Sequence, residues 1–254
     1  GVGAYVEGYR LTGDRRYSRR AEYWARTGLP FLYTWAGTDR PMMPYGSIPG
    51  FGTSVFTNPW FGRPVQWNGL VYAYFLLDML EAVEREPAFP WRQVAEGVVV
   101  SAMLQQRTTE PGKGGYPDSW ELRENVPVKG VDINPEGLAK PAIMVMGKPT
   151  DVQTRLLRRA GETARLSTAA RITGAEWDGS RLTARLDFYD GATSQLLLVG
   201  VPAPTTVRVD GRGLDAVPSL DAPDVAEGWK QLADGSVIAK LRHAETSTLE
   251  VEFR

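Results

Sequence analysis

The chain has 254 residues, 43% of them apolar and 23% charged, with a net charge of -1. These values exclude a disordered or collagen-like chain. Twenty-nine basic residues stand against thirty acidic ones, and without a basic excess no nucleic-acid partner is expected.

There is no cysteine and one histidine, His243. Disulfides, thiolate catalysis, iron–sulfur clusters, thiolate-bound zinc and multi-histidine metal centres are therefore excluded. No metal and no other cofactor is expected. No stretch approaches the roughly 18 apolar residues of a membrane span, so no membrane partner is expected either. The chain begins Gly1-Val2-Gly3, without Met or a charged-then-apolar leader. The expectation is a removed leader or tag, or a piece of a longer polypeptide.

Two halves read differently, with the division expected near Ala160-Gly161. Ala4, Tyr5, Gly8, Tyr9 and Leu11 recur at helical spacing. Gly13 suits a helix stop and Asp14 a helix cap. Tyr17, Ala21, Trp24, Ala25 and Gly28 then form one apolar stripe, with arginines between them. A third helix is expected over 66–86, ended by Pro87, a fourth over 91–106, and a short one over 151–159. From Glu162 the pattern alternates with a period of two: Leu182, Ala184, Leu186 and Phe188, then Val237, Ala239 and Leu241, then Leu249, Val251 and Phe253. Asp178-Gly179, Asp190-Gly191 and Asp210-Gly211 are hairpin signals. Short strands with such turns predict an antiparallel β-sandwich over 161–254.

Two irregular stretches carry candidate chemistry. Residues 35–66 place Trp35, Tyr45, Phe51, Phe56, Trp60 and Phe61 among glycines and prolines and lead into Trp67. A loop of about 30 residues inside a compact domain is more often functional than idle. Planar apolar faces with Asp39, Arg40, Asn58, Arg63, Gln66 and Asn68 at the rim suit a carbohydrate. A loop-covering aromatic cluster is the competing explanation. In the second stretch, 112–137, Asp118 and Glu121 lie three apart and would share a face on a helical turn. Hydrolysis of a glycosidic bond uses two carboxyl groups, and Tyr116 and Trp120 could raise one pKa by desolvation. A solvated acidic turn is the competing explanation here. Asp132-Ile133-Asn134-Pro135-Glu136-Gly137 begins like a calcium loop, but its twelfth position is Ile143. His243 is expected to be a packing or surface residue.

The run Tyr9-Arg10-Leu11-Thr12-Gly13-Asp14-Arg15-Arg16-Tyr17, with Ala21 and Trp24-Ala25, resembles the hairpins of the six-hairpin (α/α) toroid superfamily. The loop into Trp67-Asn68-Gly69-Leu70 is similar to loops at the mouth of such toroids. The superfamily contains glycoside hydrolases and polysaccharide lyases. The resemblance implies an α+β chain: residues 1–160 as a partial toroid, 161–254 as the sandwich. A full toroid needs about twelve helices, more than this half holds. Completion by another chain or by a second copy is therefore expected.

The resulting expectation is a secreted or periplasmic glycoside hydrolase with a carbohydrate substrate. Asp118 and Glu121 would be catalytic. Trp35, Tyr45, Trp60, Arg63, Trp67, Asn68, Tyr116 and Trp120 would bind substrate. The alternatives are a lyase, with Tyr45 or Tyr116 as base and Asn68 and Arg63 as stabilisers, and a non-catalytic binding or assembly module.

Overall fold

The computed structural model describes residues 1–32, 51–52, 64–83, 87–121, 126–128 and 132–254, with 51, 52, 64, 120, 121, 126 and 127 described by backbone alone. It divides into two compact units, Gly1–Gly147 and Lys148–Arg254. The described helices lie in the first, and two five-stranded antiparallel sheets lie in the second, so the chain is α+β.

In the first unit α1 (Val2–Thr12) and α2 (Arg15–Gly28) form a hairpin. Gly13 takes the left-handed conformation (φ 69°) and donates its N–H to the Tyr9 carbonyl, closing α1. The Asp14 side chain accepts the Arg16 N–H at 2.8 Å, opening α2. The stripe expected on α2 is only half inside. Ala21 and Ala25 are buried, whereas Tyr17 and Trp24 stay partly exposed.

Short strands β1 (Phe51–Gly52) and β2 (Pro64–Val65) pair and lead into α3 (Gln66–Ala82). Next come α4 (Trp91–Leu104), the paired β3 (Trp120–Glu121) and β4 (Val126–Pro127), and α5 (Glu136–Val145). Helix α3 is apolar on nearly every side, which requires enclosure. It packs against α1, α2, α4 and α5. Its Ala73 and Leu76 join Val6, Ala25, Trp91, Val98 and Met144 in one apolar cluster. The buried Asp78 of α3 accepts a 2.6 Å hydrogen bond from Arg10 Nη2 of α1. The cation offsets the cost of burying that charge.

The second unit runs β5 (Gln153–Arg159), β6 (Glu162–Thr168), β7 (Arg171–Trp177), β8 (Arg181–Asp187), β9 (Thr193–Val199), β10 (Pro204–Val209), β11 (Arg212–Gly213), β12 (Gly228–Gln231), β13 (Val237–Arg242) and β14 (Thr246–Phe253). One sheet has the order β11-β10-β14-β8-β7, the other β12-β13-β9-β6-β5. Alternate residues of both, among them Leu182, Ala184, Leu249, Val251, Leu166, Leu198 and Leu241, form one apolar cluster. Asp210 (φ 52°) and Gly211 (φ 77°) both lie left-handed, as the hairpin signal required.

The segment expected as a short helix over 151–159 is strand β5, paired antiparallel with β6 from Gln153↔Thr168 to Arg159↔Glu162. Its leucines and arginines favour a helix locally, but pairing and burial of Leu157 override that preference. Ala160 and Gly161, both at positive φ, are the hairpin turn between these strands. The division of the chain therefore falls at Gly147–Lys148 and not at 160–161.

His243 is a packing residue. It is 2% exposed, its Nε2 lies 2.8 Å from Ser194 Oγ, and its ring lies 5.0 Å from that of Phe188. Burial holds its pKa below the usual value, although Asp210 and Glu227 pull the other way. The folded protein thus resists a proton that the unfolded chain takes up near about pH 6.5. Stability is expected to be full above that pH and to fall as the pH drops below it. Urea melts between pH 5 and 8 should show this slope, and His243→Gln should reduce it.

Candidate functional site

Loop 105–121 is fastened to the start of α3. Arg107 exchanges backbone bonds with Gly114 and Gly115 (2.8 and 2.9 Å), which closes a small loop. Its Nη2 also donates to Asp132 Oδ1 at 2.7 Å and to the Val128 carbonyl at 3.3 Å. A side chain at Gly115 would collide with that Asp132 carboxylate, at 2.6 Å. Further along, the Tyr116 carbonyl accepts the Ile133 N–H at 2.9 Å, and Pro117 bridges Asp132. Asp132 is thus part of the structural clasp. Among the described residues no group of three or more His, Cys, Asp or Glu could hold a metal.

From this clasp the chain passes beside β2. Ser119 bridges Val65 antiparallel, and the Gln66 N–H donates to the Asp118 carbonyl at 2.7 Å. These contacts place Gln66, Asp118 and Ser119 side by side. All three are buried, at 3%, 7% and 2% exposure. Gln66 Nε2 and Oε1, Asp118 Oδ2 and Ser119 Oγ have no hydrogen-bond partner. Buried polar atoms are ordinarily paired, because an orphan loses its water without compensation. Four such atoms thus lie on three adjoining buried residues.

Burial raises the pKa of the Asp118 carboxyl, and among the described residues no cation opposes it. Such a carboxyl keeps its proton to a higher pH than an exposed one and can donate it to a reacting oxygen.

The expected pairing of Asp118 with Glu121 on a helical turn is not found. Trp120–Glu121 is strand β3, paired with Val126–Pro127, so the chain there is extended. The reason is cross-strand bonding, with Ser119 tied to Val65 and to the Val128 N–H.

Of the other expected residues, Trp67 is 49% exposed on the first turn of α3 and Asn68 beside it is partly buried. Tyr116 packs against the helical core. Trp120 is described by backbone alone, and Trp35, Tyr45, Trp60 and Arg63 lie outside the described residues. Ser119 is the member of this buried group that sequence reasoning passes over. A serine beside a capable carboxylate carries no periodic or spacing signal, and only its burial marks it. The chain matches no family model, and no curated protein matches it.

An isolated buried carboxyl with a raised pKa destabilises the fold as the pH climbs past the unfolded value of about 4. Asp118→Asn removes the ionisation and keeps the shape. It is expected to raise the melting temperature at pH 7 and to change it little at pH 4. Calorimetric melts at the two pH values check this, and an equal loss of stability at both would show that the carboxylate has a stabilising partner.

Proposed function

We propose that this protein is a carbohydrate-active enzyme, a glycoside hydrolase acting on a polysaccharide or oligosaccharide, with Asp118 as the general acid. The observation that carries the reading is the buried, unpartnered Asp118 carboxyl beside the unsatisfied Gln66 and Ser119 side chains. In the proposed step the Asp118 carboxyl gives its proton to the glycosidic oxygen. The C1–O bond breaks and its electron pair stays with that oxygen. Glu121 is the proposed second carboxylate, which serves the water or the sugar carbon on the other side of the bond. Gln66 and Ser119 hold sugar hydroxyls, so the substrate satisfies the groups the fold leaves unpaired.

The aromatic loop residues Trp35, Tyr45 and Trp60, together with Arg63, Trp67 and Trp120, form the proposed sugar platform. The helical unit is read as a part of an (α/α) toroid, completed by another chain or a second copy. The two sheets, which share one apolar cluster, are read as a sandwich that supports it. A secreted or periplasmic location follows from a polysaccharide substrate.

Incubation with neutral and acidic polysaccharides, read for new reducing ends and for unsaturated uronates, tests the reading. Reducing ends without unsaturation are expected. Asp118→Asn should lower turnover about 10²–10⁴-fold, the usual contribution of a general acid. The wild-type rate should fall on the alkaline side, as Asp118 loses its proton. Unsaturated products would replace the hydrolase with a lyase, and binding without turnover would replace it with a binding module.

A further inference from the structure

Asp118 lies at a bend between two antiparallel bridges. Pro117 before it bridges Asp132, and Ser119 after it bridges Val65. Its own carbonyl accepts the Gln66 N–H, and its side-chain Oδ2 has no partner. No bond to that oxygen aims the carboxyl, so its place is set by how the chain is held at 117 and 119.

Both neighbours are braced by residues 128 and 132. Asp132 bridges Pro117, and the Val128 N–H donates to the Ser119 carbonyl at 2.9 Å. Arg107 ties the two braces together. Its Nη2 donates to Asp132 Oδ1 at 2.7 Å and to the Val128 carbonyl at 3.3 Å. Its own main chain is anchored by the bonds exchanged with Gly114 and Gly115. Gly115 in turn leaves room for the second carboxylate oxygen, since a Cβ there would lie 2.6 Å from Asp132 Oδ2. Stability alone does not account for this arginine. Its Nε is buried without a partner, which is unfavourable. The ion pair is also partly open to water, with side chains 20% and 38% exposed, and a pair so placed adds little to global stability.

We infer that Arg107 is a positioning residue for Asp118: a single guanidinium nitrogen locks together the two residues that brace the chain on either side of it. The guanidinium is a rigid fork, so its two bonds hold residues 128 and 132 in one relation. Without it main-chain bonds alone hold them to 116–119, and water gains access to the carboxyl. The inference rests on the reading of Asp118 as the general acid and adds a residue that acts through Asp132 and Val128 and not on the sugar.

Carbon-13 NMR of aspartate-labelled protein tests the inference, with the Asp118 signal assigned by its absence in Asp118→Asn. In the wild type that signal should titrate above the ordinary aspartate value of about 3.9. Arg107→Met keeps the apolar stem and removes the fork. Gly115→Ala pushes on the Asp132 carboxylate and leaves Arg107 in place. In both, the Asp118 midpoint should fall towards the ordinary value, and Arg107→Lys should lie between the wild type and Arg107→Met. Loss of a nearby cation by itself raises a carboxyl's pKa, so a fall reports position and not charge. Asp178 and Asp234 of the second unit, held low by the Arg181 N–H and the Ser236 hydroxyl, should not move. With a substrate that the wild type cleaves, kcat should fall about 10²-fold, the scale of a misplaced group, and KM should change little.

Helical circular dichroism should survive in every variant, and where Arg107→Met loses it, Gly115→Ala decides. A wild-type midpoint at the ordinary value, or an unmoved midpoint in a folded variant, overturns the inference. Loss of the helical signal in both variants makes the clasp a folding element and overturns it too. The two readings fail separately. Turnover that Asp118→Asn abolishes and Arg107→Met leaves intact, with an unmoved midpoint, removes the positioning role and keeps the hydrolase. A midpoint that falls, with no turnover by any sample, keeps the positioning role and removes the hydrolase.

Discussion

The enclosure of α3 is the constraint on which the helical unit depends. A helix with Gly69, Leu70, Tyr72, Ala73, Leu76, Leu77, Met79 and Leu80 buried, and with Trp67 and Val71 among its exposed residues, has no wide polar face to turn to water. At roughly 25 cal/mol per Å² of apolar surface, leaving such a helix uncovered is unfavourable. The hairpin α1–α2, helix α4 and helix α5 therefore gather round it. Its first two turns are the exception, where Val71 is also exposed. There Trp67 is exposed and Asn68 is partly buried, and Gln66 is held by the carbonyl of Asp118. The end of the most buried helix is where the unit places its uncommitted polar groups.

Gln66, Asp118 and Ser119 are deeply buried and short of hydrogen-bond partners, whereas Trp24 and Phe31 are half-exposed rings. The clasp of Arg107 and Asp132 ties residue 107 to the segment at 128–132. It fixes the loop whose continuation carries Asp118, and so has a positioning role.

Legibility differed between the units for a physical reason. In the second unit strand identity was written locally: period-two alternation and Asp-Gly turns mark β8, β10, β13 and β14, because each strand buries one face. Strand β5 was hidden, since Arg155, Leu156, Leu157, Arg158 and Arg159 are good helix formers and only their partners in β6 make them extended. Helix α5 was hidden too, because its start lies in a run of turn-forming residues, Asn134-Pro135-Glu136-Gly137. In the site, Asp118 was legible as a carboxylate between aromatics. Its separation from any helical partner was not, because the bonds from Ser119 to Val65 and Val128 join segments far apart in sequence.

The sequence by itself determined the α+β class, the hairpin stop at Gly13 and cap at Asp14, the start of α3 at Gln66 and the turns at the Asp-Gly pairs. These follow from periodicity and from backbone preferences that act over a few residues. Only the tertiary structure decided that β5 is a strand, that the units divide at Gly147–Lys148, and that Gln66, Asp118 and Ser119 are buried side by side. It alone decided that Trp24 lines a groove, when its spacing had placed it in the core stripe. Those outcomes depend on which distant segment covers a given surface. Burial and hydrogen-bond satisfaction belong to the assembled chain, and no local pattern encodes them.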